Sequence, residues 1–269
     1  MKTLRFVNLF LVLIFLPVFS NAQTIIHADN YGGRQQFKDF IKEEMVYPEK
    51  ALQTQIEGTV VLTFIVDKDG QVKDTKVSQS VSTEIDAEAM RLLGLLLWEP
   101  AEYRGMKLEE EKTIEFDFAI KKYHRCTESR GYEKLDFPIK PVDTSTKIYE
   151  TIHLDKQPKP VYESKGMNFA SFIMKNMTYP ESAVKQNISG SVTVFFVVEP
   201  TGRISNVKIE KGVGAGCNQE AIRLLKLMKW IPGVKDGLAV RTKMTLTITF
   251  NLQDFENQKY VPANNSNQI

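Results

Sequence analysis

Apolar residues at helical spacing open the folded part of the chain, and a strand with apolar residues at every second position follows them. The helical positions are Phe37, Phe40, Ile41 and Met45. Tyr47-Pro48 ends this helix, because proline lacks the N–H that would continue it. The strand positions on one face are Val60, Leu62, Phe64 and Val66. Val61 and Ile65 are also apolar, which favours a strand in the centre of a sheet.

A second strand, a helix and a last strand complete this region. The turn signal at 67–70, Asp-Lys-Asp-Gly, predicts a hairpin into a strand at 72–78. An apolar stripe then predicts a helix through Ile85, Ala89, Leu92, Leu93 and Leu96. The last strand alternates through Ile114, Phe116, Phe118 and Ile120. This order predicts a three-stranded antiparallel sheet that has helices on one face and two open edges.

The same pattern returns at a constant offset of 132 residues. Residues 37–120 reappear without a gap at 169–252, and we call these ranges the first copy and the second copy. We therefore predict an α+β fold with two tandem small domains, at 31–122 and 161–253. Each is expected to be a three-stranded antiparallel sheet covered by helices. Residues 123–160, rich in proline and polar residues, are predicted to form a linker between them.

The chain begins with the pattern of an export signal. Lys2 and Arg5 precede an apolar run at 7–19, and small residues lead up to Ala22. We predict a signal peptide at 1–22 that is cleaved near Ala22, with retention of this segment as an anchor as the alternative. No later segment is long and apolar enough to span a membrane, so the mature chain is expected to be exported and soluble.

Composition adds little chemistry. The formal net charge is +2, which gives no electrostatic case for nucleic acid or an anionic membrane surface. Cys126 and Cys217 could pair in an oxidising compartment. The alternative is that Cys217, which aligns with Ile85, is a small buried apolar side chain. Residues 254–269 are rich in asparagine and glutamine and are predicted to be a disordered tail.

No pattern indicates an enzyme, a metal site or a cofactor. The three histidines are scattered outside the two copies, at His27, His124 and His153. The glycine-rich segment at 212–216 lacks the spacing of a phosphate loop, and a flexible turn before a helix is the favoured interpretation. Glu88 and Arg91 lie three apart on a helix and are interpreted as a surface ion pair, with a charged contact site as the alternative.

The order and spacing of the motifs resemble the TonB C-terminal domain family. In the first copy the motifs are Tyr47-Pro48-x-x-Ala51, Gly58, Gly70, Glu88-Ala89 and Trp98-x-Pro100. In the second copy they are Tyr179-Pro180-x-x-Ala183, Gly190, Gly202, Glu220-Ala221 and Trp230-x-Pro232. The resemblance implies a periplasmic, energy-transducer-like module. Such a module adds a strand from an outer-membrane receptor, its TonB box, to the edge of its own sheet.

The chain also departs from the family pattern. We expect it to lack the uncleaved inner-membrane helix and the long proline-rich spacer of a complete TonB. Met45-Val46 and Met177-Thr178 stand where the family often has Gln-Pro before Tyr-Pro. Binding of a receptor segment is therefore a firmer expectation than energisation of transport by this chain alone.

The last strands of the two copies differ in charge. In the first copy Glu111, Glu115 and Asp117 point outward, and acids on an edge oppose unwanted pairing. The second copy carries no acid there, and we predict that it binds the partner through Arg241, Lys243, Thr245, Thr247, Thr249 and Asn251. The alternative is that these residues only face water. The alternative function is a scaffold or homodimer in which the sheets pair with each other or with a second chain.

Overall fold

A computed structural model describes residues 24–131, 137, 139–162 and 166–259. The predicted signal peptide at 1–22 lies outside these residues and stays a prediction. Across the described residues, no helix combines the length and the apolar character that a membrane crossing requires.

The first copy and its flanking segments contain short strands and helices around three long strands. In chain order the elements are β1 (Asp29–Asn30), α1 (Gly33–Glu44), α2 (Glu49–Gln53), β2 (Gly58–Val66), β3 (Val72–Gln79), α3 (Thr83–Leu95), β4 (Trp98–Glu99), β5 (Ala101–Tyr103), β6 (Met106–Leu108), β7 (Glu110–Phe118) and α4 (Ile120–Arg130). The predicted order of helix, strand, strand, helix and strand is confirmed. The β5–β6 hairpin was not predicted.

The second copy repeats this order after a short connecting region. The connection contains β8 (Ile148–Tyr149), a 3₁₀ turn (Thr151–His153) and β9 (Lys159–Val161). The second copy then contains α5 (Phe169–Asn176), α6 (Glu181–Lys185), β10 (Gly190–Val198), β11 (Ile204–Lys211), α7 (Cys217–Leu227), β12 (Lys229–Ile231), β13 (Gly233–Lys235) and β14 (Leu238–Phe250), and α8 (Leu252–Lys259) follows it.

Each copy builds its sheet around its first long strand. β2 pairs antiparallel with β3 and β7, and β10 pairs in the same way with β11 and β14. The three-stranded antiparallel sheet is therefore confirmed in both copies. The second sheet is larger than predicted, since β13 pairs with the start of β14 and β8 adds in parallel beside Arg241 and Thr242.

The inner face of each sheet carries a hydrophobic core. Leu62 and Phe64 are at most 1% exposed, and the apolar stripe of α3 packs in the same core. Trp98 lies edge-on to Phe64 with ring centroids 4.9 Å apart. Trp230 and Phe196 repeat this contact at 5.3 Å in the second copy. Both tryptophans are at most 6% exposed and therefore belong to the cores of their copies.

Two predictions outside the copies are wrong in part. Residues 123–130, predicted as linker, continue helix α4, and residues 254–259, predicted as disordered, belong to α8. Residues 260–269 lie outside the described part of the chain. The physical reason is an aromatic contact that local composition does not reveal. Tyr123 of α4 lies 5.4 Å from the Tyr47 ring, and the corresponding contact of α8 has centroids 5.2 Å apart.

The two copies pack against each other along β11. Helix α1 lies beside this strand. Asn206 of β11 accepts the N–H of Leu97 at 2.7 Å and donates to the carbonyl of Leu95 at 3.0 Å. The edge of Tyr31 meets the ring of Phe195 at 5.4 Å. The prediction of two open edges is thus wrong for the second copy, because the first copy buries the middle of β11.

Candidate functional site

Strand β14 offers backbone groups on one side over most of its length. Residues 242–250 pair with β10. On the opposite side, β8 covers only Arg241 and Thr242, and an isolated bridge covers Ala239. Within the described ranges, no strand pairs with this second side of 243–250. This stretch is an unpaired sheet edge, and we call it the β14 edge.

The predicted binding residues along the β14 edge face outward from the sheet. Those that are exposed are Thr245, Thr247, Thr249 and Asn251. The Thr247 hydroxyl lies 3.2 Å from that of Thr193, and the Thr249 hydroxyl lies 3.0 Å from that of Ser191, both on β10. These pairs order the outer face between 245 and 250 without adding charge there, and Lys243 is the one charged side chain of the β14 edge. An added strand would therefore meet backbone groups that neutral side chains flank.

Arg241 does not lie where a partner could reach it. Its side chain is 2% exposed, and its guanidinium donates to both carboxylate oxygens of Glu199 at 2.8 and 2.9 Å. It also donates to the carbonyls of Leu95 and Thr146. Arginine can do this because it carries five donors in a planar fork. Arg241 therefore joins the first copy, the connecting segment and the second copy, and we leave it out of the binding surface.

The β7 edge of the first copy has the opposite charge character. Its exposed outer residues include Glu111, Glu115 and Asp117, and the residues at the same positions of β14 are Lys243, Thr247 and Thr249. Lys243 forms an ion pair with Glu150 where the β14 edge begins. In the described part of the chain β7 pairs only with β2, so the β7 edge is unpaired like the β14 edge. The two edges differ in the charge of their side chains.

A groove of about 450 Å³ adjoins the end of the β14 edge. We call it the α5–α8 groove, and its lining residues are Ile173, Met174, Met177, Thr249, Asn251, Asp254 and Phe255. Thr249 faces outward from the sheet, whereas α5 packs into the core on the inner face. The groove therefore passes around the unpaired edge. Met174 is 57% exposed, so its thioether side chain is open to a partner.

The first copy has the same groove in a closed form. The volume left between α1 and α4 is only about 10 Å³. Tyr123 is 4% exposed and occupies this space from α4. Arg130, at the end of α4, donates to the carbonyls of Lys42, Glu43 and Met45 at 3.0–3.1 Å. These hydrogen bonds hold helix α4 against the end of α1. Sequence reasoning missed both grooves, although the exchange of Lys42 for Met174 between the copies was a visible signal.

A buried carboxyl group lies between the two copies. Glu44, at the end of α1, is 3% exposed. Burial raises its pKa from the ordinary 4.5 to about 8, and the negative charge of Glu199 acts in the same direction. Arg91, Arg241 and Arg203 oppose this shift without cancelling it. Among the described residues, Glu44 Oε1 has no hydrogen-bond partner, which suits a neutral carboxyl group better than a carboxylate.

The Glu88–Arg91 pair is structural, and its interpretation as a surface ion pair is wrong. The Glu88 side chain is 9% exposed and accepts the N–H of Val46 at 2.8 Å as well as two bonds from Arg91. Arg91 also donates to the last carbonyl of α1 at 2.7 Å. Glu220 and Arg223 repeat this arrangement in the second copy. Each pair therefore fastens the first helix of its copy to the long helix.

The two cysteines and the glycine-rich segment have structural surroundings in the described part of the chain. Cys126 and Cys217 are both free thiols, and Cys217 is buried as the apolar interpretation predicted. The glycine-rich loop before α7 closes on its own helix, because Asn218 accepts the N–H groups of Val213 and Gly214. Over the ranges that the structure covers, no cluster of three or more His, Cys, Asp or Glu side chains could hold a metal ion.

A family model described as the Gram-negative bacterial TonB protein C-terminal matches residues 43–120 and 175–252. The two matches together cover more than half of the chain, and they coincide with the two copies. The chain belongs to this family and carries the domain twice. The family is a non-catalytic protein-interaction module, its domains are periplasmic, and it is known for interaction with TonB-dependent receptors.

Two solved structures are similar to parts of the chain. The solution NMR structure of the Pseudomonas aeruginosa TonB CTD is 22% identical, covers 36% of this chain and 88% of its own length, and has a TM-score of 0.27. The solution NMR structure of the Helicobacter pylori TonB-CTD is 21% identical, with coverages of 32% and 79% and a TM-score of 0.24. No curated protein sequence matches the chain.

Proposed function

We propose that this chain is a periplasmic protein that captures extended segments of TonB-dependent outer-membrane receptors by adding them as a strand to the β14 edge. The observation that carries the proposal is the unpaired backbone of residues 243–250 in a domain of this family. Backbone pairing supplies affinity in such complexes, and side chains beside the edge supply specificity. The role is linked to transport across the outer membrane. The two domains are proposed to span residues 31–122 and 161–253.

The second copy is the proposed acceptor, and the first copy has a structural role. Three observations support this division. The β14 edge lacks the acids of the β7 edge, the α5–α8 groove is open, and the other edge of the second sheet faces the first copy. The binding residues that we retain are Lys243, Thr245, Thr247, Thr249 and Asn251.

An exchange of side chains between the copies tests this proposal. In the Thr247→Glu/Thr249→Asp variant, the second copy carries the acids of the first. Both residues face outward, and the first copy folds with these acids in place, so the fold should persist. A fluorescent synthetic peptide with a TonB box should bind this variant about tenfold more weakly, equivalent to about 1.4 kcal/mol, because acids along a sheet edge oppose pairing with another strand.

The reciprocal Glu115→Thr/Asp117→Thr variant is the matched control. It should not weaken binding of the peptide, because the proposed edge is untouched. A loss of affinity in the control together with full affinity in the first variant would assign binding to the β7 edge. Concentration-dependent mass in the absence of peptide would instead favour the alternative function, a homodimer that forms through the same edge.

A further inference from the structure

We infer that the captured segment inserts one large apolar side chain, such as leucine, methionine or phenylalanine, into the α5–α8 groove. The inference rests on the proposed function and deepens it. It states which chemistry a receptor segment must carry in addition to an extended backbone.

The α5–α8 groove adjoins the β14 edge. Thr249 belongs both to the β14 edge and to the lining of the groove. Side chains of an added strand alternate between the two faces of the sheet. A segment that pairs beside Thr249 therefore directs a side chain toward the inner face, where Ile173, Met174 and Met177 lie. The groove is continuous with the edge and not a separate site.

The groove of the first copy, which is filled, can be compared with the α5–α8 groove of the second. In the first copy, Tyr123 fills the corresponding space from the same chain and is almost fully buried. The counterpart in the second copy is Phe255, which lies against the Tyr179 ring at 5.2 Å, and among the described residues it does not fill the groove. The side chain of Tyr123 in the first copy therefore indicates that the groove of the second copy accepts a large apolar side chain.

The lining of the α5–α8 groove includes two methionines. Met174 and Met177 are long, unbranched and polarisable, so they adapt to aliphatic and aromatic partners of different shape. Met174 is more than half exposed. The first copy has Lys42 at the same position. Replacement of an apolar wall by an ammonium group removes the benefit of burying an apolar side chain there.

The test uses the mature chain labelled with ¹⁵N, a synthetic TonB-box peptide, and analogues in which each large apolar residue in turn is replaced by serine. One analogue should lose about tenfold or more in affinity, since a buried aliphatic side chain contributes that much. In the Met174→Lys variant, replacement of that peptide residue by serine should not change the affinity. Lys42→Met, in the first copy, is the matched control and should retain the discrimination between the two peptides.

The outcomes separate the two proposals. If the peptide shifts the amide signals of 243–250 but neither the serine analogues nor Met174→Lys changes affinity by more than about twofold, the inference fails and strand addition stands. If those amides do not respond to the peptide, strand addition fails and the inference fails with it. If deletion of residues 260–269 shifts the Met174 and Met177 amides of the free chain, the chain's own tail is the occupant and the inference is overturned.

Discussion

Arg241 of the second copy donates a hydrogen bond of 2.8 Å to the main-chain oxygen of Leu95 in the first copy. Asn206 donates to the same oxygen at 3.0 Å. These contacts come from two strands of one sheet and meet at the end of the long helix of the other copy. The duplicated domain is therefore a joined pair and not two independent modules on a flexible connection. This joining leaves β14 as the available edge of the second copy.

Removal of the Arg241 side chain should destabilise the chain strongly. Arg241→Met leaves Glu199 buried and without its cation, and loss of one partner of a buried ion pair costs about 3–5 kcal/mol. Both side chains are only 3% exposed. Chemical denaturation measures the free energy of unfolding. Lys243→Met, which breaks a surface pair, is the control and should leave this free energy nearly unchanged. Equal stability of the two variants would contradict the structural role of Arg241.

Stability should fall as the pH rises from about 4.5 to about 8, in part because of Glu44. A carboxyl group whose pKa is raised to about 8 in the folded chain holds its proton more tightly there than in the unfolded chain, where the ordinary value of 4.5 applies. Its contribution is complete below pH 4.5 and is lost as the pH approaches 8. Glu44→Gln should therefore show a flatter pH dependence of the free energy of unfolding. Parallel curves for the two proteins would refute this.

Glu88→Ala should cost about 2 kcal/mol of stability, because it leaves the Val46 N–H and the Arg91 guanidinium without their acceptor. Thermal unfolding of the variant should begin well below that of the parent chain. Glu84→Ala removes a partly exposed carboxylate that pairs with Lys50 and is the control. A similar midpoint for both variants would indicate that Glu88 forms only a surface ion pair, as its spacing from Arg91 suggested.

The two cysteines should differ in reactivity. Cys217 is fully buried, and burial raises the pKa of its thiol, so little thiolate forms and reagent cannot reach it. Cys126 is partly exposed. Brief treatment of the folded chain with iodoacetamide should modify Cys126 alone, and denaturant should expose both. Peptide mass mapping reads the result, and early modification of Cys217 would show that the α7 core opens readily.

The repeat made most of the fold predictable. Strand order, the tryptophans and the Tyr-Pro break recur in both copies, so each prediction was made twice from independent residues. Contacts between the copies were not predictable in this way. Glu199 and Arg241 replace Asp67 and Glu109 of the first copy, and a charge pair present in only one copy was the available signal. Its meaning depends on Leu95, which is far away in the sequence.

The proposed binding surface was predictable only in outline. Alternation correctly placed Thr245, Thr247 and Thr249 on the outer face, because the period of a strand is fixed. The groove beside them depends on how far α8 extends and which side chain it turns inward. Phe255, an aromatic residue within a polar tail, does not by itself indicate the length of α8 or which of its side chains points inward.

Hydrogen exchange of the β14 amides, with and without a TonB-box peptide, tests the central claim most directly. Unpaired edge amides exchange quickly, and an added strand protects those that it pairs with. We expect the peptide to slow exchange within 243–250 and to leave exchange in β7 unchanged. Protection that appears on β7 alone, or on neither strand at saturating peptide, would contradict it.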